Sequence, residues 1–139
     1  MKILSLTVFA TVVCVIAPPL AQAAEMELYP GKFTVALLQM DAHGDDQQKN
    51  LDKADFFCRK AADMGADLAL MPEIWNIGYT RPAGRDPDII ASWQKQAVGR
   101  DSDWVQHFAK LARKLDMAIG VTYLEKWDGP PRNSLSVFD

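Results

Sequence analysis

The stretch from Phe33 to Met71 constrains the fold more than any other part of the chain. Phe33-Thr-Val-Ala-Leu-Leu-Gln-Met40 is a dense β-branched and apolar run of strand length. A strand apolar on both faces belongs in the middle of a sheet, covered on both sides. A polar turn, Asp41 to Asp46, follows it, and Asp45 or Asp46 can cap a helix whose Leu51, Ala54, Phe57, Cys58 and Ala61 fall at helical spacing. Gly65 suits the left-handed residue just past that helix's end. Asp67-Leu-Ala-Leu-Met71 is a second short buried strand, stopped by Pro72, whose missing N–H cannot extend a ladder. Strand, helix and strand make one βαβ unit, which predicts parallel strands, a right-handed crossover and an α/β fold.

The remaining chain repeats the alternation. Glu73 to Arg85 reads as a loop, with Gly78, Pro82 and Gly84. Asp86-Pro87 supplies a cap and a first-turn proline for a helix through about Ala97, broken by Gly99 and Arg100. Asp101 or Ser102 caps a further helix in which Trp104, Phe108, Leu111 and Leu115 form a core-facing stripe. Met117 to Tyr123 is then a third strand, and Asp128-Gly-Pro-Pro131 a turn. Asn133 to Asp139 alternates as a fourth strand with Leu135 and Val137 on one face, and no partner for it is in view. Internal repeats and low-complexity segments are absent from the sequence.

Charge and composition narrow the class. Fifteen Lys and Arg stand against 18 Asp and Glu with no basic stripe, so nucleic-acid binding through phosphate contacts is poorly supported. A hydrophobic fraction of 49% is what a globular core requires. Part of it sits in the first residues, where Met1-Lys2 precedes an apolar run from Ile3 to Ile16, then Pro18-Pro19 and Ala21-Gln-Ala-Ala24. This reads as a signal peptide over 1–23, with cleavage after Ala23, an export address (periplasmic or secreted), and a linker over 24–32. The apolar run stops short of the ~20 residues a bilayer needs, so no stable membrane anchor is expected. Val13 before Cys14 argues against lipidation, and removal of Cys14 would leave Cys58 without an intrachain disulfide partner.

Glu73 is the residue that most suggests chemistry. It follows Pro72 at the carboxyl end of a parallel strand, the edge at which open α/β sheets place their ligands. Leu70, Met71, Ile74 and Trp75 around it would desolvate the carboxylate toward the basicity a general base needs near neutral pH. A loop-capping or Lys-paired glutamate is the plainer alternative. Trp75 and Tyr79 would border a pocket beside it, Trp75 equally well as a core residue. Other clusters carry less. Asp41-x-His43-x-Asp45-Asp46 lacks the glycine and glutamate of a calcium loop and reads as a capped helix start, so no metal site is expected. His107 has no carboxylate or serine partner at an assignable spacing and reads as a boundary histidine. The glycines are too dispersed for a phosphate loop, and no cofactor is implied.

Taken together, Asn50-Leu-Asp-Lys-Ala54, Gly65-Ala-Asp-Leu-Ala-Leu-Met-Pro-Glu73, Trp75-Asn-Ile-Gly-Tyr79, Met117-Ala-Ile119, Thr122-Tyr-Leu-Glu-Lys126 and Asn133-Ser134 resemble the nitrilase superfamily of carbon–nitrogen hydrolases. The resemblance runs from about Phe33 to Asp139. It implies the N-terminal part of a four-layer αββα sandwich and a Glu-Lys-Cys triad in which Glu73 matches the general base. The family's Lys and Cys would fall beyond Asp139, so the resemblance makes residues 33–139 the N-terminal part of a longer hydrolase domain, inactive alone. Cys58, mid-helix between Phe57 and Arg59, and Lys126, at a strand end, are poor substitutes. By the same resemblance the substrate is a small amide, carbamoyl compound or nitrile, Tyr79 lines its pocket, and the full-length protein forms homo-oligomers. The competing reading is a non-catalytic binding or assembly module that keeps the α/β scaffold, with Ser134 to Phe138 as an exposed pairing edge.

Overall fold

Residues 31–84 and 86–139 are described by a computed structural model. The expected signal peptide with its Ala23 site, Cys14, and all but the last two residues of the linker lie outside the described residues. From Thr34 onward the chain forms β1 (Val35–Leu37), α1 (Gln47–Asp63), β2 (Leu68–Leu70), α2 (Pro87–Gln94), α3 (Asp103–Leu115), β3 (Ala118–Glu125) and β4 (Arg132–Phe138). No helix among the described residues is long and apolar enough to cross a membrane.

Local chemistry sets the helix ends. Asp46 caps α1, its carboxylate accepting from the Lys49 N–H at 3.1 Å, a bond that holds the Asp46 carboxyl below the usual range. Gly65, at φ +75°, follows Met64 as the left-handed residue that ends the helix. Asp86 and Pro87 open α2 as expected, but that helix stops at Gln94, and residues 95–97 continue in tighter turns. Val98 then bridges to the end of β3, its N–H donating to the Leu124 carbonyl at 3.0 Å. Ser102 caps α3, where Trp104, Phe108 and Leu111 are buried and stack with Val105 and Ala112 over the sheet.

The four strands lie in the order β1-β2-β3-β4, with β1, β2 and β3 parallel and β4 antiparallel to β3. Register places Ala36, Ala69, Ile119 and Phe138 side by side, and this row packs with Val121 and Tyr123 against α1 and α3. The opposite face carries Val35, Leu37, Leu135 and Val137, each between 43% and 63% exposed. Two expectations are corrected here. Among the described residues β1 is an edge strand with Val35 and Leu37 open to solvent, because the helices there cover one face and β2 alone pairs with it. β4 does have a partner: seven of its residues pair with β3, which among the described residues leaves its other side as the free edge.

Candidate functional site

The site grows out of the end of β2. Met71 N–H still donates to Gly120 of β3, at 3.1 Å, and Pro72 then interrupts the ladder. The hydroxyl of Thr122 bonds the Pro72 carbonyl, and the Trp75 N–H returns to the Thr122 carbonyl at 3.1 Å. Between these tethers the chain turns sharply, with Ile74 at φ +49°. A β-branched residue in the left-handed region is a true outlier, worth about 1–3 kcal/mol of strain that the surroundings must hold.

Two buried asparagines supply that hold. Asn50 of α1 accepts from the His43 N–H at 2.7 Å and donates to the carbonyls of Gly44 at 3.0 Å and Asn76 at 3.1 Å. The Trp75 indole N–H in turn donates to the Asn50 carbonyl at 2.9 Å, which makes Trp75 a core residue. Asn76 accepts from the Leu124 N–H at 2.8 Å through its side-chain oxygen. Gly78 completes the loop at φ +57°, where a Cβ would come within 2.7 Å of the Ala42 Cβ.

This scaffold presents the Glu73 carboxylate at the surface, with the Asn133 amide donating to Oε1 and the Tyr79 hydroxyl donating to Oε2. The Glu73 carboxylate beside it holds the Tyr79 hydroxyl above the ordinary phenol range. The apolar enclosure expected around Glu73 is not formed, because Trp75 turns into the core and Ile74 is only half-buried. A depression of about 370 Å³ lies beside the carboxylate, bordered by Met40, Asp41, Pro72, Tyr79 and Thr80. Among the described residues, no lysine or cysteine lines it. Lys126 borders a separate cavity of about 450 Å³ with Trp127 and Pro131. Cys58 is fully buried in α1, and burial pushes its thiol up to about 12.

The structure brings together Glu73 and Tyr79, both singled out in the sequence, and adds Asn133, for which the sequence suggested no site role. Sequence reasoning also left His107 without a partner, whereas His107 Nε2 lies 2.8 Å from Asp55 Oδ2 on α1. Their separation of 52 positions along the chain hid the pairing.

The model of the carbon-nitrogen hydrolase family matches residues 34–139. The chain belongs to the carbon-nitrogen hydrolase family. It is 30% identical over 116 residues to an aliphatic nitrilase from Rhodococcus rhodochrous, covering 79% of this chain and 30% of the relative. It is 28% identical over 108 residues to an N-carbamoylputrescine amidase from Oryza sativa subsp. japonica, covering 78% of this chain and 34% of that one. The chain thus spans about a third of the length of the curated relatives it matches. Among solved structures, the NitN amidase superposes with a TM-score of 0.54 at 24% identity, over 76% of this chain and 38% of its own. A glutamine-dependent NAD(+) synthetase from Cytophaga hutchinsonii does so with a TM-score of 0.56 at 11% identity, over 78% of this chain and 17% of its own. Both matches speak for the α/β sheet fold of carbon-nitrogen hydrolases.

Proposed function

We propose that this chain is the N-terminal part of an enzyme that hydrolyses a non-peptide amide, carbamoyl or nitrile bond, with Glu73 as its general base. The observation that carries the reading is a carboxylate at the carboxyl end of a parallel strand, on a strained turn, held at both oxygens beside an open depression. Family membership adds the reaction class.

The chemistry then runs in two halves. A cysteine thiol, supplied from outside this sequence, attacks the carbonyl carbon of an amide or carbamoyl group while Glu73 takes its proton and passes it to the departing nitrogen, leaving a thioester; on a nitrile the proton goes to the nitrogen of a thioimidate, which adds one water and loses ammonia to reach the same thioester. A lysine ammonium, also from outside, stabilises the negative charge that develops on the former carbonyl oxygen or nitrile nitrogen. Glu73 then draws a proton from water, which opens the thioester and restores the thiol. Tyr79, 74% exposed at the mouth of the depression, borders the substrate.

The same proposal includes the four-layer αββα architecture, with a second sheet packed on the open face of Val35, Leu37, Leu135 and Val137. Export after cleavage near Ala23 and homo-oligomerisation belong to it as well. A binding module is what that apolar face would favour taken without Glu73.

The deciding experiment measures ammonia release from a simple aliphatic amide by the full-length protein and its Glu73→Gln variant. Loss of the base lowers turnover at least ~100-fold. Unchanged turnover in the variant would rule the base role out, and no turnover in either protein would favour the binding module.

A further inference from the structure

We propose that Asn133 is a positioning residue for Glu73, a role that rests on the base reading above. Asn133 pairs with Leu124 near the start of β4. Because β4 runs antiparallel to β3, it begins at the end of the sheet where β2 finishes. Strand alternation places Asn133 on the face shared by Leu135 and Val137, away from the helices. From that face its amide reaches Glu73 Oε1 across 60 residues of sequence.

The two donors on the carboxylate differ in how firmly they are held. Both side chains are exposed, but Tyr79 projects from the loop that must admit substrate. Asn133 sits in a seven-residue strand pairing, and its neighbour Ser134 is pinned by a 2.7 Å bond from its hydroxyl to Glu125. Asn133 is therefore the fixed reference and Tyr79 the adjustable one. Two donors on opposite oxygens set the last torsion of the glutamate, which is otherwise broad and two-fold. Each oxygen keeps a lone pair for the proton in transit. A neutral amide orients the base without neutralising it, as a lysine or arginine in that place would.

The test has two arms. In the 139-residue chain, ¹⁵N-labelled, the Asn133 side-chain amide resonances should move with the titration of Glu73. That movement should vanish in Glu73→Gln and persist in Tyr79→Phe. Resonances indifferent to Glu73 would overturn the inference without reference to catalysis.

In the full-length enzyme, Asn133→Ala should lower kcat for ammonia release about 10- to 100-fold with KM within about twofold. Asn133→Asp, which replaces the donor with a like charge, should lower kcat at least as far. A purely structural asparagine would lower yield or melting temperature and leave kcat of the folded enzyme unchanged, which refutes the role. An inactive Glu73→Gln beside an unchanged Asn133→Ala refutes the inference and spares the base. A fully active Glu73→Gln removes both.

Discussion

Asn50 offers the sharpest test of how the Glu73 turn is held. It is fully buried, and its side chain makes three hydrogen bonds, to His43 N–H, Gly44 carbonyl and Asn76 carbonyl. Asn50→Leu keeps the branching and the number of side-chain heavy atoms and removes all three. The Asn76 carbonyl, in a fully buried residue, then loses its side-chain partner at a cost of about 2 kcal/mol. The His43 and Gly44 groups are partly buried and cost about 1 kcal/mol each. Burial of the leucine methyls offsets about 1 kcal/mol of this, which leaves a net loss of about 3 kcal/mol. With an m-value of about 1.5 kcal/mol/M, the urea midpoint falls by about 2 M. Tryptophan fluorescence, to which Trp75 contributes from its bond to the Asn50 backbone, reports the transition.

Asn50→Asp adds a sign. Its carboxyl can still accept from His43 but faces two carbonyls, and burial raises its folded pKa above the unfolded value of about 3.9. The native state then binds the extra proton, so the variant keeps its stability below about pH 4 and loses it as pH rises toward 7. At pH 7 it must be the less stable of the two variants. A leucine variant within 1 kcal/mol of the parent, or an aspartate variant stabilised by rising pH, would refute the reasoning.

Three further outcomes follow from the same structure. Gly78→Ala combines a left-handed φ with a 2.7 Å approach to Ala42 and should cost about 3 kcal/mol in denaturation experiments, against about 1 for Gly65→Ala, whose Cβ meets nothing within 4 Å; equal losses would show that the Ala42 contact yields. Burial pushes the Asp55 carboxyl up, but the hydrogen bonds from Arg59 and His107 outweigh it and leave it lowered. Its contribution is thus present above about pH 4 and lost as pH falls through the folded value, and Asp55→Asn should flatten that acid limb by about 1 kcal/mol in pH-dependent melts. Cys58, with its thiol at about 12, should resist iodoacetamide at pH 8 in the native chain and react once unfolded, as peptide mass spectrometry would read; fast native labelling would contradict its burial.

What the sequence determined by itself was local. Asp46, Gly65, Asp86 and Ser102 end or begin their helices through bonds to residues a few positions away, so their identities were legible in order along the chain. Pro72 and Glu73 could be placed at a strand end for the same reason. Periodicity also showed which residues share a face, but whether a face is covered depends on a distant partner. That is why β1 read as a central strand although the fold leaves Val35 and Leu37 exposed at an edge. Only the tertiary structure brought Asn133 to Glu73 and His107 to Asp55, contacts 60 and 52 residues apart that leave no short-range pattern. The turn that presents Glu73 was decided in the same way, by Asn50 and Thr122 reaching it from a helix and a neighbouring strand.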